Sequence, residues 1–147
     1  MENEVVHLGK ADLDELIELE KLCFAYSWTR DQFLLGLERG AYVVLGVRQN
    51  EKIVGYIAFS MIEDEMEILN FAVHPNCRRG GLGSRLLKRA FEICRAGGIT
   101  KSFLDVKVSN KPAIDLYKKF GYSQIGVRKK YYPDTKEDAL LFRYDFR

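Results

Sequence analysis

Residues 73–90 read VHPNCRRGGLGSRLLKRA, and this stretch decides how the chain folds. An apolar run typical of a buried strand leads into it, and the residues after the glycines have apolar positions at helical spacing. Between the two stand Gly80, Gly81 and Gly83. Glycine loses more backbone entropy on folding than any other residue, so three of them before a helix indicate that another group comes close to the backbone.

The segments around this stretch predict the order β, α, α, β, β, β, α, β, α, β, β. The strands are predicted at residues 4–8, 41–48, 52–62, 65–73, 102–108, 122–132 and 138–146. Short turns join the three central strands, which favours antiparallel pairing, and the strand, helix, strand unit across the glycines favours one parallel pair with a right-handed crossover. We expect a single α/β (α+β) domain over residues 1–147, with a mixed, mostly antiparallel sheet and helices on both faces.

Each predicted helix has a capping or terminating residue at one of its ends. The residues expected to begin helices are Asp12, Thr29 with Gln32 as a capping box, and Pro112. The residues expected to end helices are Gly40, Gly97, Gly98 and Gly121. Residues 24–28, between the first two helices, are predicted to form an aromatic loop.

Composition and charge exclude several classes of protein. With 47% hydrophobic and 30% charged residues, the chain can form a packed core without metals or disulfides. The net charge of +2 is too small to indicate a dedicated nucleic-acid binder. Because neither a long apolar run nor a signal-peptide pattern is present, we expect a cytoplasmic protein with no membrane contact. The cysteines lack metal-ligand spacing and are expected to be free thiols.

The glycine-rich loop predicts a phosphate-binding site, because backbone amides at a helix N-terminus bind phosphate oxygens. A Walker A loop is disfavoured, since Gly83 is followed by Ser84 rather than by lysine. A dinucleotide fingerprint is disfavoured too, since Leu86 stands where the third glycine belongs. The alternative is that the glycines only form a tight turn, with the neighbouring arginines solvated.

The loop RRGGLG, residues 78–83, resembles the R/Q-x-x-G-x-G/A acetyl-CoA motif of the GNAT N-acetyltransferases. The order of elements given above is that of their fold over almost the whole chain. The stretches similar to the RimI and archaeal Ard1 branch of this family are EILNFAVHP (67–75), LDVKVSNKPAIDLYKKFGY (104–122), VRKKYYPD (127–134) and EDAL (137–140). The resemblance implies direct transfer of an acetyl group to the free N-terminal amine of a protein, such as a ribosomal protein with an N-terminal alanine.

The resemblance also implies acetyl-CoA as the cofactor, with coenzyme A as the product. Its pyrophosphate is expected on the amides of the glycine loop, and its pantetheine arm along the end of the preceding strand. The residues implied in cofactor binding are Phe71, Ala72, Val73, Arg78, Arg79, Gly80, Gly81, Leu82, Gly83, Ser84, Asn110 and Tyr117.

Three side chains are candidates for the chemistry. Asp105 stands where the family usually has glutamate; it is shorter by roughly 1.5 Å, which favours a bridging water. An ion pair with a nearby lysine or arginine is the alternative role for Asp105, and Glu67 on the adjacent strand is the reserve base. Tyr117 matches the tyrosine that the family places near the sulfur of coenzyme A as general acid, and helix packing is its alternative or second role.

The resemblance implies aromatic walls for the substrate peptide, although aromatic residues are more often part of the core. The candidates are Phe24, Tyr26, Trp28, Tyr131 and Tyr132. The basic residues 128–130 are expected to be a solvated strand face. An acetyltransferase for a small amine (a polyamine, an amino acid or an aminoglycoside) and a non-catalytic coenzyme A-binding module stay open as alternatives. We expect a monomer, although the sequence leaves the oligomeric state open.

Overall fold

The computed structural model describes residues 4–25, 27–78 and 80–146, and a seven-stranded sheet forms its centre. The strands are β1 (Val5–His7), β2 (Val43–Gln49), β3 (Lys52–Ile62), β4 (Glu65–Val73), β5 (Lys101–Lys107), β6 (Ser123–Arg128) and β7 (Ala139–Asp145). The helices are α1 (Leu13–Cys23), α2 (Arg30–Leu37), α3 (Leu82–Ala96) and α4 (Lys111–Lys119). None of these helices is long and apolar enough to cross a membrane.

The strands lie in the order β1-β2-β3-β4-β5-β7-β6. Only β4 and β5 pair in parallel, and all other neighbours among the described strands are antiparallel. Helix α3 makes the crossover between the two parallel strands. The predicted mixed, mostly antiparallel sheet is therefore confirmed.

Strands β4 and β5 pair over a short distance and then separate. Their register comprises three pairs, from Glu65 with Lys101 to Glu67 with Phe103. Immediately beyond, the register of β4 with β3 shifts by one residue, so that Leu69 is the extra residue of a β-bulge. A bulge bends the strand that carries it. The outer part of β4 thus turns away from β5, and a cleft opens between them.

Helices cover both faces of the sheet, as predicted. On one face α3 and α4 pack against the strands, with Leu86, Leu87 and Ala90 of α3 fully buried. On the other face α1 and α2 form a second core cluster, to which Leu16 and Phe33 contribute fully buried side chains. Both clusters arise because apolar residues at spacings of three and four lie on one side of a helix.

The predicted boundaries of β3 and β4 match the structure, but the last strand pair is shorter than predicted. Strand β6 ends at Arg128 rather than at residue 132. The chain turns there, since Lys130 has a φ of 47° and its amide donates to the Asp138 carboxylate at 2.9 Å. Tyr131 and Tyr132 consequently lie in the β6–β7 loop instead of in a strand.

The capping box of α2 is confirmed, and Asp12 stands at the N-cap position of α1 as predicted, but its side chain makes no capping hydrogen bond to that helix. The Thr29 hydroxyl accepts from the Gln32 amide at 3.2 Å, and the Gln32 side chain accepts from the Thr29 amide at 2.7 Å. Asp12 directly precedes α1, but its carboxylate accepts from the Gly9 amide at 2.8 Å and from Arg48 at 2.5 Å. Tertiary pairing with β2 therefore replaces the expected cap. The glycines with positive φ after α2, α3 and α4 are Gly40, Gly98 and Gly121.

Candidate active site

The outer part of β4 presents main-chain groups to the cleft. The His74 amide donates to the Val54 carbonyl of β3 at 2.7 Å. Because hydrogen-bonding direction alternates along an antiparallel pair, the amides and carbonyls of Phe71 and Val73 face away from β3. Consistent with this, the Val73 carbonyl accepts from Arg78 Nε at 3.1 Å. Phe71 and Val73 therefore form an open edge toward β5.

Two carboxylates lie near the closed end of the cleft, Glu67 on β4 and Asp105 on β5. Glu67 is paired with Phe103, which shares a face of β5 with Asp105. The Asp105 side chain is 22% exposed and lies 3.8 Å from Arg128 Nε. Burial raises the pKa of Glu67, the charge of Asp105 raises it further, and the Arg128 guanidinium lowers it. The prediction that Glu67 lies on the strand adjacent to that of Asp105 is confirmed.

Arg128 is exposed, as expected for a solvated basic face, but it also makes contacts at the candidate site. It pairs with Asp105, and its guanidinium lies 5.4 Å from the ring centre of Tyr131. Lys129 is also exposed and lies 3.4 Å from Asp138. The prediction of a solvated strand face is therefore confirmed for Arg128 and Lys129, and the ion pair considered as the alternative role of Asp105 is present as well.

The β6–β7 loop places its two tyrosines beside the acids. The rings of Tyr131 and Tyr132 pack edge to face, with their centres 5.3 Å apart. The Lys107 ammonium lies 5.1 Å from the centre of the Tyr132 ring and 2.8 Å from the Asp134 carboxylate. Burial and the charge of Asp105 raise the pKa of Tyr132 to about 12. Strand β5 thus holds the loop over the site through Lys107.

Tyr117 of α4 faces the open edge of β4 and is 5% exposed. Its ring centre lies 6.2 Å from that of Phe71 and 5.6 Å from that of Tyr122. Burial raises the pKa of Tyr117 well above its ordinary value, and the nearby Tyr132 adds to this shift. The phenol therefore keeps its proton throughout the neutral pH range. Its position agrees with both roles considered for it, packing and proton donation.

The glycine loop has two distinct structural reasons for its composition. Gly81 has a φ of 79°, and a Cβ built there would meet no atom within 4 Å. A Cβ on Gly83 would lie 3.3 Å from Leu116 and 3.7 Å from Phe71, so this glycine allows α3 to pack closely. Arg79 lies outside the described residues. An open pocket at the start of α3 is lined by Gly81, Ser84, Arg85, Lys88, Lys119 and Phe120.

Two residues expected to bind the cofactor also have structural roles. The Asn110 side-chain oxygen accepts from the Ala113 amide at 3.3 Å and caps α4. Arg78 is held at the end of β4 by its bond to the Val73 carbonyl. Capping uses only the amide oxygen of Asn110, so its NH2 group takes no part in the cap.

The predicted aromatic walls divide into two groups. Trp28 packs edge-on against Phe33 and Tyr42, with ring centres 5.3 Å and 5.5 Å apart, and Phe24 packs against the same cluster. These rings belong to the core under α1 and α2, which was the alternative for them. Tyr26 lies outside the described residues. The tyrosines of the β6–β7 loop are the ones that the structure brings to the acids.

Sequence analysis missed Glu20 of α1, which is 1% exposed. Its carboxylate accepts from the Tyr56 hydroxyl, from the Trp28 amide at 2.8 Å, and from the Asn70 side chain at 2.9 and 3.1 Å. The Asn70 side-chain oxygen in turn accepts from the Phe71 amide at 3.0 Å. This network connects α1 and the loop after it with the open edge of β4.

The sequence does contain a signal for Glu20. Leu13, Leu16 and Glu20 are spaced by three and four residues, which places the glutamate on the apolar side of the helix. A carboxylate at such a position must find hydrogen-bond donors in the core. The sequence could have indicated a buried carboxylate, but not which donors surround it.

Residues 13–122 match the model of the Acetyltransferase (GNAT) family. A Bacillus subtilis protein provisionally named as a [ribosomal protein bS18]-alanine N-acetyltransferase is 37% identical over 131 residues, which cover 88% of this chain and 87% of that protein. The [ribosomal protein bS18]-alanine N-acetyltransferase of Escherichia coli K12 is 30% identical over 141 residues, 95% of either chain. The chain therefore belongs to the GNAT acetyltransferase family.

The crystal structure of the ribosomal-protein-S18-alanine N-acetyltransferase from Escherichia coli superposes with a TM-score of 0.89 at 28% identity. The superposition covers 97% of this chain and 92% of that one. These similarities confirm the predicted fold, the predicted enzyme class and the resemblance to the RimI branch. The protein is an N-acetyltransferase with the GNAT fold.

Proposed function

We propose that this protein transfers an acetyl group from acetyl-CoA to the free α-amine of a protein N-terminus, as on a ribosomal protein that begins with alanine. The observation that carries the proposal is the position of Glu67 and Asp105, below the tyrosines of the β6–β7 loop and at the end of the open β4 edge. The names of the Escherichia coli and Bacillus subtilis relatives support this substrate class.

The residues around the cleft fit acetyl-CoA. The space beside Gly81 lies at the N-terminus of α3, where free amides and the helix dipole favour phosphate. The basic residues at the neighbouring pocket are Arg85, Lys88 and Lys119. The Phe71 carbonyl and the Val73 amide, which face away from β3, are main-chain groups that pantetheine amides can pair with in the manner of a strand. When bound, acetyl-CoA supplies the activated acetyl group. Side chains of this protein must accept the proton of the amine and donate a proton to the departing sulfur.

The proposed cofactor contacts include the whole glycine loop and the residues that flank it. Backbone amides are proposed to hold the phosphates, and the NH2 group of Asn110 is proposed to reach the pantetheine. The full proposed set is Phe71, Ala72, Val73, Arg78, Arg79, Gly80, Gly81, Leu82, Gly83, Ser84, Asn110 and Tyr117.

The carboxylate pair is proposed to accept the proton of the incoming amine. A protein α-amine has a pKa of about 7.7–8.0, so a large fraction is neutral near pH 7.5, whereas lysine at about 10.4 requires a stronger base. Glu67 has a raised pKa, and Asp105, although shorter than the family glutamate, lies beside it. We assign proton transfer to the two acids as one coupled unit, directly or through a bridging water.

Tyr117 is proposed to donate the proton that the departing sulfur requires. Its raised pKa keeps the phenol protonated, and packing against Phe71 fixes its ring beside the open edge. Tyr131 and Tyr132 are proposed to line the path of the peptide, whereas Phe24, Tyr26 and Trp28 are proposed to border it from the α1–α2 side. A newly made chain would be met in the cytoplasm, the compartment that the sequence predicts.

Mass spectrometry after incubation with acetyl-CoA tests this function. The substrates are a peptide with a free N-terminal alanine and an internal lysine, the same peptide with a formylated N-terminus, and a polyamine. We expect acetylation of the free α-amine alone. Transfer confined to lysine or to the polyamine would overturn the proposal, and coenzyme A binding without transfer to any amine would indicate a binding module.

A further inference from the structure

The buried network around Glu20 ends at a main-chain group of the candidate site. The side-chain nitrogen of Asn70 donates to both Glu20 oxygens and to the Tyr56 hydroxyl, the last at 2.8 Å. These bonds fix the orientation of the Asn70 amide. Its oxygen is thereby held 3.0 Å from the amide nitrogen of Phe71, from which it accepts a hydrogen bond.

The Phe71 amide has a special position in the cleft. It is one of the main-chain donors that face away from β3, toward the separation of β4 and β5. It also lies next to Tyr117, whose ring packs against that of Phe71. A donor at this point is suited to stabilise negative charge on an acyl oxygen, but in this structure the Asn70 oxygen already occupies it.

We propose that Asn70, oriented by Glu20, competes with the acetyl carbonyl of the bound thioester for the Phe71 amide. This inference rests on the proposed use of acetyl-CoA. Glu20 and Asn70 are positioning residues on this account, since Phe71 is the group that touches the acetyl oxygen.

The competition favours the transition state over the bound substrate. The thioester oxygen and the Asn70 oxygen are both neutral acceptors, so exchanging one for the other changes the free energy little. A hydrogen bond to a charged acceptor is roughly twice as strong as one to a neutral acceptor. As negative charge develops on the acetyl oxygen, that oxygen replaces Asn70 as the acceptor at the Phe71 amide. Because only binding that strengthens in the transition state accelerates the reaction, this exchange favours catalysis.

The network also explains how the loop after α1 is coupled to this donor. Glu20 accepts from the Trp28 amide at 2.8 Å, so the same carboxylate fixes this loop and the Asn70 side chain. A substitution at Glu20 should therefore disturb the Phe71 amide, although Glu20 does not contact Phe71 itself.

Amide NMR of the wild-type protein tests the proposal without any acceptor amine. Spectra are compared for the free protein, for its complex with coenzyme A, and for its complex with acetyl-CoA. We expect acetyl-CoA to shift the Asn70 NH2 signals, and to shift the Phe71 amide further than coenzyme A does. Coenzyme A also brings its pantetheine to Phe71, but it has no acetyl carbonyl to displace the Asn70 oxygen. Equal shifts of these signals with both ligands would overturn the proposal.

Calorimetry on variants gives a second, independent readout. In Asn70→Ala the competitor is gone, so the affinity for acetyl-CoA relative to coenzyme A should rise about fivefold, corresponding to one net hydrogen bond. Glu20→Gln should raise the ratio in the same direction, and the exposed Glu18→Gln on the same helix serves as the control. An unchanged ratio in a folded Asn70→Ala would show that Asn70 is only structural.

The outcomes separate this inference from the proposed function. If the NMR pattern appears but no peptide is acetylated, the substrate class is wrong and the role of Asn70 stands. If peptides are acetylated and the Phe71 amide responds alike to both ligands, the role of Asn70 is wrong and the function stands.

Discussion

Arg128 of β6 lies 3.8 Å from Asp105 of β5, although β7 runs between their strands. The arginine can reach across because its partner on β7 is Ala139, which is fully buried and has a short side chain. The same guanidinium lowers the pKa of Glu67, whereas burial and Asp105 raise it. A residue two strands away thereby adjusts the acidity of the candidate base.

Replacing Arg128 should shift the pH dependence of the reaction. In Arg128→Gln the pKa of Glu67 rises, because a charge that favours its ionised form is removed. Since the base must be ionised, the acidic limb of kcat/KM for the peptide should move to higher pH. In Arg128→Lys the acidic limb of kcat/KM should stay at its wild-type pH, because the positive charge is kept. Lys129→Gln, at the neighbouring residue, should also leave the limb in place. An unmoved limb in Arg128→Gln would contradict the coupling.

The two acids should behave as one unit. Glu67→Gln and Asp105→Asn should each lower kcat by about 10- to 100-fold, below the full effect of a general base because part of the α-amine is already neutral. The kcat of the double variant should be only slightly below that of the less active single variant. Steady-state kinetics check this, with Glu65→Gln on the same strand as control. Losses that multiply would mean that the acids act independently.

Tyr117 and Tyr122 form a matched pair of buried phenols with different expected roles. Tyr117→Phe should lower kcat by about 100-fold. The affinity for acetyl-CoA should change little, because the variant keeps the ring that packs against Phe71. Tyr122→Phe removes a hydroxyl that lies 2.6 Å from the Ser102 hydroxyl, so it should lower the free energy of unfolding by about 1 kcal/mol and leave kcat unchanged. Kinetics and thermal unfolding of both variants distinguish these roles. Full activity in Tyr117→Phe would reduce Tyr117 to packing.

Gly81 can be tested against a glycine with the same backbone conformation. Gly81 and Gly98 have φ values of 79° and 77°, and a Cβ at either would meet no atom within 4 Å. Alanine at each should cost about 1–2 kcal/mol in the free energy of unfolding. Only Gly81→Ala should also weaken acetyl-CoA binding, by about tenfold, because its methyl group enters the proposed phosphate site. Equal cofactor affinities in calorimetry would refute this placement.

Lys107 should act on the peptide and not on the cofactor. Lys107→Met removes the contact with Asp134 at 2.8 Å and the cation over the Tyr132 ring, which loosens the β6–β7 loop. The KM for the peptide should rise about fivefold, because the free energies of two modest interactions, an ion pair and a cation–π contact, are lost together. The KM for acetyl-CoA should stay the same. Lys111→Met, which removes an exposed pair with Asp115, is the control. A matching rise in both KM values would speak against a peptide-specific role.

Strands β3 and β4 could be predicted to the residue because local sequence determines their ends. Polar turns follow each apolar run, and Asn50, Glu51 and Glu63 have the positive φ values that such turns use. The end of β6 could not be predicted, since it depends on the bond between the Lys130 amide and Asp138, eight residues further on. The local sequence pattern indicates turns, but it does not show that a carboxylate just before the next strand will bind the backbone and end β6.

For the candidate site, the sequence could supply candidate residues but not their geometry. Asp105, Tyr117 and the glycine loop follow from the resemblance to the family. The contact of Arg128 with Asp105 depends on the sheet order, in which β7 inserts between β5 and β6. The open edge at Phe71 depends on the bulge at Leu69, for which one strand alone gives no signal.

The sheet consists of two halves, β1 to β4 and β5 to β7, which meet along the short pairing of β4 with β5. The two halves can therefore rotate about this pairing. Among the residues that the structure describes, β4 and β5 pair only from Glu65 with Lys101 to Glu67 with Phe103. Next to these pairs, the Thr100 amide donates to the Asp64 carbonyl at 2.8 Å. A small rotation about this closed end displaces the far end of the cleft most. Substitutions at Asp64 and Thr100, at the closed end of the cleft, can therefore change the distance between β4 and β5 at its far end.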